Sequence, residues 1–196
     1  MFTLTPLTLT TDKIQLIPLT MEHLDNFYQA GKNAELWRWI PVNPCESISQ
    51  TKLWLKKAID EMQQGQQLAF MIFDINSNRF VGSTRLFNIN SNDDSIEIGH
   101  TFIEQTYQRS YVNTHAKYLL LTHAFESLKV VRVQFRTHEK NNKSRQAITR
   151  IGATFEGILR KNRLLADGSY RNTALFSITD DEWPKVKSPL RNTMES

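Results

Sequence analysis

The sequence predicts an α+β (mixed α/β) fold in one domain. Three observations carry this. Apolar residues recur at helical spacing through about residues 21–64, then alternate with period two from 68 to 103. Helix-like and strand-like stretches then follow one another to about residue 179. No repeat, low-complexity tract or interdomain linker interrupts the chain of 196 residues, so a single domain over 1–196 is expected, with a core at about 11–185 and a tail at 186–196.

Thr11 to Leu19 reads as a strand, with Ile14, Leu16 and Pro18 alternating with Gln15, Ile17 and Leu19. Thr20 suits an N-cap for a helix from Met21 to Ala30, whose buried stripe is Leu24, Phe27 and Tyr28 and which Gly31 ends. Trp37 and Trp39 precede the helix-breaking Pro41-Val42-Asn43-Pro44; these rings either line a pocket mouth or seal the core under a loop. A second helix is expected from about Ser49 to Gln64. Leu68–Ile75, Arg79–Ile89 and Ser95–Ile103 form an antiparallel meander around polar turns. Gly82 and Gly99 inside these strands signal bulges or close backbone approaches. A helix follows from Asn113, then a strand at Val130–His138, a helix at Asn141–Arg150 closed by Gly152, and a hairpin of Thr154–Leu165 and Tyr170–Thr179 around Ala166-Asp167-Gly168-Ser169. The segment after Trp183, with Pro184 and Pro189, is expected to be irregular.

The composition narrows the class of protein. The net charge is +4, and the Lys and Arg residues are scattered. Nucleic acid would call for a clustered basic face, so a nucleic-acid partner is not expected, whereas an anionic small ligand suits the balance. Cys45 is the one cysteine, which excludes an internal disulfide. The five histidines show no metal-ligand spacing, so no metal is expected. No long apolar run or signal-like start is present, and the expectation is a soluble, cytoplasmic protein without a membrane partner.

The stretch Ser95 to Leu128 carries the chemistry. A strand runs through Gln108-Arg109-Ser110-Tyr111-Val112-Asn113-Thr114 into a helix. The first N–H groups of a helix have no intrahelical partner and sit at the positive end of its dipole. Such a junction suits a phosphate or pyrophosphate, and Arg109 adds a charge beside it. The alternative is an ordinary junction capped by Asn113 or Thr114.

The order of elements, with Ile96-Glu97-Ile98-Gly99-His100, the 108–114 loop, Asn141-Asn142-Lys143-Ser144, Ile151-Gly152-Ala153, Glu156-Gly157 and the closing Asp180 to Pro184, resembles the GNAT acetyltransferase superfamily, in its RimJ/RimL-like ribosomal-protein branch. The resemblance implies a mostly antiparallel twisted sheet of about seven strands, splayed in the middle and flanked by about four helices. It also implies acetyl-CoA as cosubstrate, with direct transfer of the acetyl group to a primary amine, either a protein N-terminus or a small molecule. A homodimer is compatible with it. Gln108, Arg109, Ser110, Tyr111, Val112, Asn113 and Thr114 match the family's pyrophosphate loop, although Tyr111 and Asn113 stand where the family usually has small residues. Binding would then rest on backbone N–H groups, with Tyr111 turned outward. Asn141 and Ser144 match the helix start beside the pantetheine, and Ser144 is the implied acid for the leaving thiolate; both also suit a plain helix cap.

Glu97 is the candidate base, with Glu104, His100 or a water as alternatives. A base matters because a lysine-like amine is only about one part in 2,500 neutral at pH 7. Strand alternation places His100 on the face opposite Glu97. A non-catalytic CoA-binding or protein-interaction module on the same fold is the second reading.

Overall fold

The computed structural model describes residues 4–40, 42–165 and 168–195. Pro41 and the turn residues Ala166 and Asp167 lie outside the described residues.

One sheet of eight strands organises the chain: β1 (Leu9–Thr10), β2 (Ile14–Pro18), β3 (Leu68–Asp74), β4 (Arg79–Asn90), β5 (Ser95–Ile103), β6 (Arg132–His138), β7 (Thr154–Leu164) and β8 (Tyr170–Thr179). Their spatial order is β1-β2-β3-β4-β5-β6-β8-β7. Every neighbouring pair is antiparallel except β5 and β6. Helices α1 (Leu24–Gly31) and α2 (Ile48–Gln63) cover one face of the sheet, and α3 (Val112–Thr122), α4 (Asn142–Arg150) and α5 (Trp183–Glu195) cover the other. No described helix is long and apolar enough to cross a membrane.

Alternation along the strands divides two cores. Ala69, Met71 and Phe102 meet Phe27, Ala30 and Leu55 of the first helices. Phe70, Ile72, Leu86, Ile96 and Ile98 meet Ala116, Leu120 and Ile148. The edge strand β1 is too short for a periodic signal and adds one strand to the expected seven.

Helix α5 corrects the expected irregular tail. Trp183 and Leu190 are buried and Val186 packs beside them. Each such burial contributes about 1.5–3 kcal/mol, enough to outweigh the roughly 3 kcal/mol that Pro189 costs inside a helix. Pro184 falls in the first turn, where a missing N–H breaks no bond.

Two bulges shape the β4–β5 pair. In the first, Arg85 pairs with Gly99 and Ser83 with Phe102, so Thr84 alone opposes His100 and Thr101. His100 takes a left-handed φ of 47° there. The strands approach closely on both sides: a Cβ at Gly82 would lie 2.3 Å from the Phe102 carbonyl oxygen, and one at Gly99 would lie 2.8 Å from the Phe87 ring. In the second bulge, Asn88 and Ile89 together oppose Ile96.

Candidate active site

Strands β5 and β6 run parallel and pair only at Ser95–Arg132, Ile96–Val133 and Glu97–Gln134. Among the described residues no further pair joins them, while β5 stays bonded to β4 and β6 to β8 along their lengths. The sheet therefore opens between Ile98–Ile103 on one side and Phe135–His138 on the other. Backbone groups facing such an opening are free to bond an extended ligand.

The 108–114 loop stands at the wide end of the opening. Helix α3 begins at Val112, with Tyr111 at its cap position and no side chain capping it. Asn113 and Thr114 are thus inside the first turn and do not cap it. The Val112 amide donates to Ser110 Oγ at 3.3 Å. The amides of Arg109, Ser110, Tyr111, Asn113 and Thr114 have no hydrogen-bond partner among the described residues. Arg109 holds a left-handed φ of 63°, which turns this row of N–H groups around the helix start. The side chains point elsewhere. Val112 and Thr114 are buried. The Tyr111 hydroxyl donates to Asp74 Oδ1 at 2.5 Å and accepts from Asn76 Nδ2 at 3.0 Å, so its ring lies against the end of β3. Gln108 donates to the Ile103 carbonyl at 2.9 Å and accepts from Lys143 Nζ, which ties the loop to the start of α4. Lys143 is a cation that the sequence pattern did not single out.

At α4, Asn141 Oδ1 accepts from the Ser144 amide at 3.0 Å and caps the helix. Ser144 Oγ makes no hydrogen bond with a described residue and is half-buried.

Glu97 lies at the narrow end, on the last pair before the strands part. It is 6% exposed. Its Oε2 accepts from Asn88 Nδ2 at 2.8 Å, which the second bulge aims inward, and stands 3.5 Å from Arg136 Nε. A Cβ at Gly99 would lie 3.7 Å from Oε1, so that oxygen faces along β5 toward the opening. Burial pushes the carboxyl above its usual range, against the Asn88 hydrogen bond and the charges of Arg136, Arg163 and Arg171.

The alternation argument for His100 fails because of the first bulge. The extra residue swings His100 onto the Glu97 face, where its ring meets Phe87 at 4.7 Å and Trp54 at 5.7 Å. Burial and the nearby Arg85, Arg163 and Lys57 charges push it down to about 3, so it is neutral and a weak base at pH 7. Glu104 pairs with Arg79 at 3.5 Å at the far end of β5. Six residues of strand, about 20 Å, separate that end from Glu97. Of the two loop tryptophans, Trp37 is buried against Phe102, whereas the Trp39 ring packs at a tilt, 4.8 Å from that of His138, beside the opening.

A row of free amides on a helix start, at the mouth of a gap between parallel strands, fits a long ligand with a phosphorylated end. The family profile described as an acetyltransferase (GNAT) domain matches residues 13–154. The chain belongs to this family, and it is an acetyltransferase of the kind that takes its acetyl group from acetyl-CoA. It is similar over 176 residues, at 22% identity, to a Bacillus licheniformis protein named uncharacterized N-acetyltransferase p20, covering 90% of this chain and 98% of that one. A GCN5-related N-acetyltransferase from Brucella melitensis has a crystal structure that superposes with a TM-score of 0.90 at 27% identity, covering 98% of this chain and 87% of its own. Mycobacterium smegmatis RimJ, solved with CoA-disulfide, shares the fold with a TM-score of 0.84 at 20% identity, covering 100% and 98%.

Proposed function

We propose that the chain is an N-acetyltransferase that moves the acetyl group directly to a primary amine. The observation that carries this reading is the parting of β5 and β6 just past a buried carboxylate, with a free amide row at the other end of the gap. When bound, acetyl-CoA supplies an activated acyl group as a thioester. The amides of Arg109 to Thr114 would hold its pyrophosphate, with Gln108 and Lys143 bracing the loop. Asn141 and Ser144 would border the pantetheine arm.

Transfer forms a C–N bond, breaks the C–S bond and moves one proton from nitrogen to sulfur. Glu97 suits the first half of that proton path. Its raised carboxyl makes it a stronger base than an exposed glutamate, and Oε1 lies on the Gly99 side, along β5 toward the gap. The Ser144 hydroxyl suits the second half, because its backbone amide, and not its side chain, serves the helix cap. His100 is too weak a base, and Glu104 sits at the phosphate end.

The test incubates the protein with acetyl-CoA and a panel of amines while following free thiol. Amine-dependent thiol release with a matching acetylated product supports the proposal. Thiol release that ignores the amine, or none at all, overturns it.

A further inference from the structure

The Glu97 face of the sheet carries more positive charge than its one carboxylate requires. Arg85 of β4 is 5% exposed, and its Nε has no hydrogen-bond partner. Its Nη1 meets the Gln67 side-chain oxygen at 3.3 Å, and Gln67 stands between it and Glu61. Its guanidinium lies 5.1 Å over the Trp54 ring. Arg163 and Arg171 are direct cross-strand partners on β7 and β8. Like charges placed opposite one another destabilise a sheet pair. Arg171 is 9% exposed, and its Nη1 donates to the Trp39 carbonyl at 3.1 Å. Among the described residues only Arg136 of these four forms an ion pair, with Glu97. The Arg136, Arg163 and Arg171 charges act on Glu97, and those of Arg85, Arg163 and Lys57 act on His100 on the same face.

Burying the Arg85 and Arg171 guanidinium groups with no carboxylate in ion-pair contact among the described residues is unfavourable, and one Glu97 faces Arg136, Arg163 and Arg171 together, so this face is suited to an anion that arrives with a ligand. The pyrophosphate loop is not the source, since it lies about 20 Å away along β5. Resting on the acetyl-transfer reading above, we infer that the acceptor is a small amine bearing its own carboxylate or phosphate. Arginines match both anions through paired N–H donors. The arrangement disfavours polyamines and amino sugars, whose extra positive charges would meet four guanidinium groups.

The experiment measures kcat/KM for matched pairs: phosphoethanolamine against ethanolamine, and β-alanine against 3-aminopropanamide, with spermidine as the cationic control. Each anionic member is expected to exceed its neutral partner by roughly tenfold or more, as one charge-assisted hydrogen bond would produce. The phosphate and carboxylate pairs tell the two anions apart. Arg163→Gln and Arg136→Gln change exposed residues, so folding is retained, and each should pull the anionic-to-neutral ratio toward one. Equal turnover within both pairs, or a preference for spermidine, overturns the inference while acetyl transfer stands. Failure to acetylate any amine overturns both.

Discussion

The two ends of β5 each gather groups suited to an anion, and they do so in opposite ways. At the Ile103 end the donors are backbone amides on a helix start, and the side chains of Tyr111, Val112 and Thr114 point away from the gap. At the Glu97 end the donors are guanidinium groups drawn from four different strands, β4, β6, β7 and β8. A site made of backbone tolerates a change of residue so long as the path of the chain survives. A site made of side chains is rewritten by each substitution. The first arrangement is suited to a cosubstrate shared across a family, the second to an acceptor that varies.

The largest expected effect is at the narrow end. Glu97→Gln removes the proposed base and should lower kcat by about 10²–10⁴-fold for an amine of high pKa. The same change should raise the melting temperature at neutral pH. The folded carboxyl sits above its unfolded value, so the folded state binds the proton more tightly, and stability falls as pH rises through that interval. Glutamine carries no such penalty. Thermal melts at pH 4 and pH 7 check the sign: the gain of the variant over wild type should appear at the higher pH and vanish at the lower.

Ser144→Ala should lower kcat by about a hundredfold, at the lower end of acid–base effects. Its helix should remain intact, because Asn141 caps through the backbone amide that alanine keeps. Circular dichroism alongside rate measurements separates the two roles. A loss of rate with a melted helix would count against Ser144 as the acid.

Much of this was legible in the sequence, and the exceptions share a physical cause. Long periodic elements and the loop at 108–114 were visible because they are local. The gap between β5 and β6 could be expected only through family resemblance, since strand pairing is non-local. Strand alternation puts His100 on the wrong face because a bulge breaks period two there; Gly99 beside it signals an irregularity but not which residue is the extra one. The four arginines escaped notice because they lie between positions 85 and 171 and meet only when β7 and β8 fold back beside β6. Helix α5 was hidden by Pro189, whose cost is overridden by burial that the local sequence does not display.

The opposite sheet face sharpens the comparison. Lys117 of α3 is 6% exposed and donates to Thr101 Oγ1 at 2.7 Å and Thr84 Oγ1 at 3.2 Å. No carboxylate joins it among the described residues, and burial pushes it down to about 7. Here the fold sheds a charge instead of concentrating one. Its folded value lies below its unfolded value, so stability should rise as pH climbs from about 7 toward 10.5. Lys117→Met should stabilise the protein at pH 7 by about 1–4 kcal/mol, since the Thr84–Thr101 hydrogen bond at 2.8 Å remains. Denaturant melts at pH 7 and pH 9 should show that gain shrinking at the higher pH.

The smallest expected effect is at the wide end. Tyr111→Phe removes the hydroxyl bonded to buried Asp74 and should destabilise the protein by about 1–3 kcal/mol. Acetyl-CoA affinity should change by less than about threefold, because the bonding amides stay in place. A large loss of affinity in a folded Tyr111→Phe variant would mean that the ring, not the backbone, makes the site.

The central claim is that β5 joins two separate anion sites, one for the cosubstrate and one for the acceptor. Calorimetric titration of phosphoethanolamine into protein saturated with CoA tests it most directly. Saturable one-to-one binding, weakened by Arg163→Gln, is the result the two-site account predicts. Binding that appears only without CoA and is abolished by it would place both anions on the same loop and contradict the account.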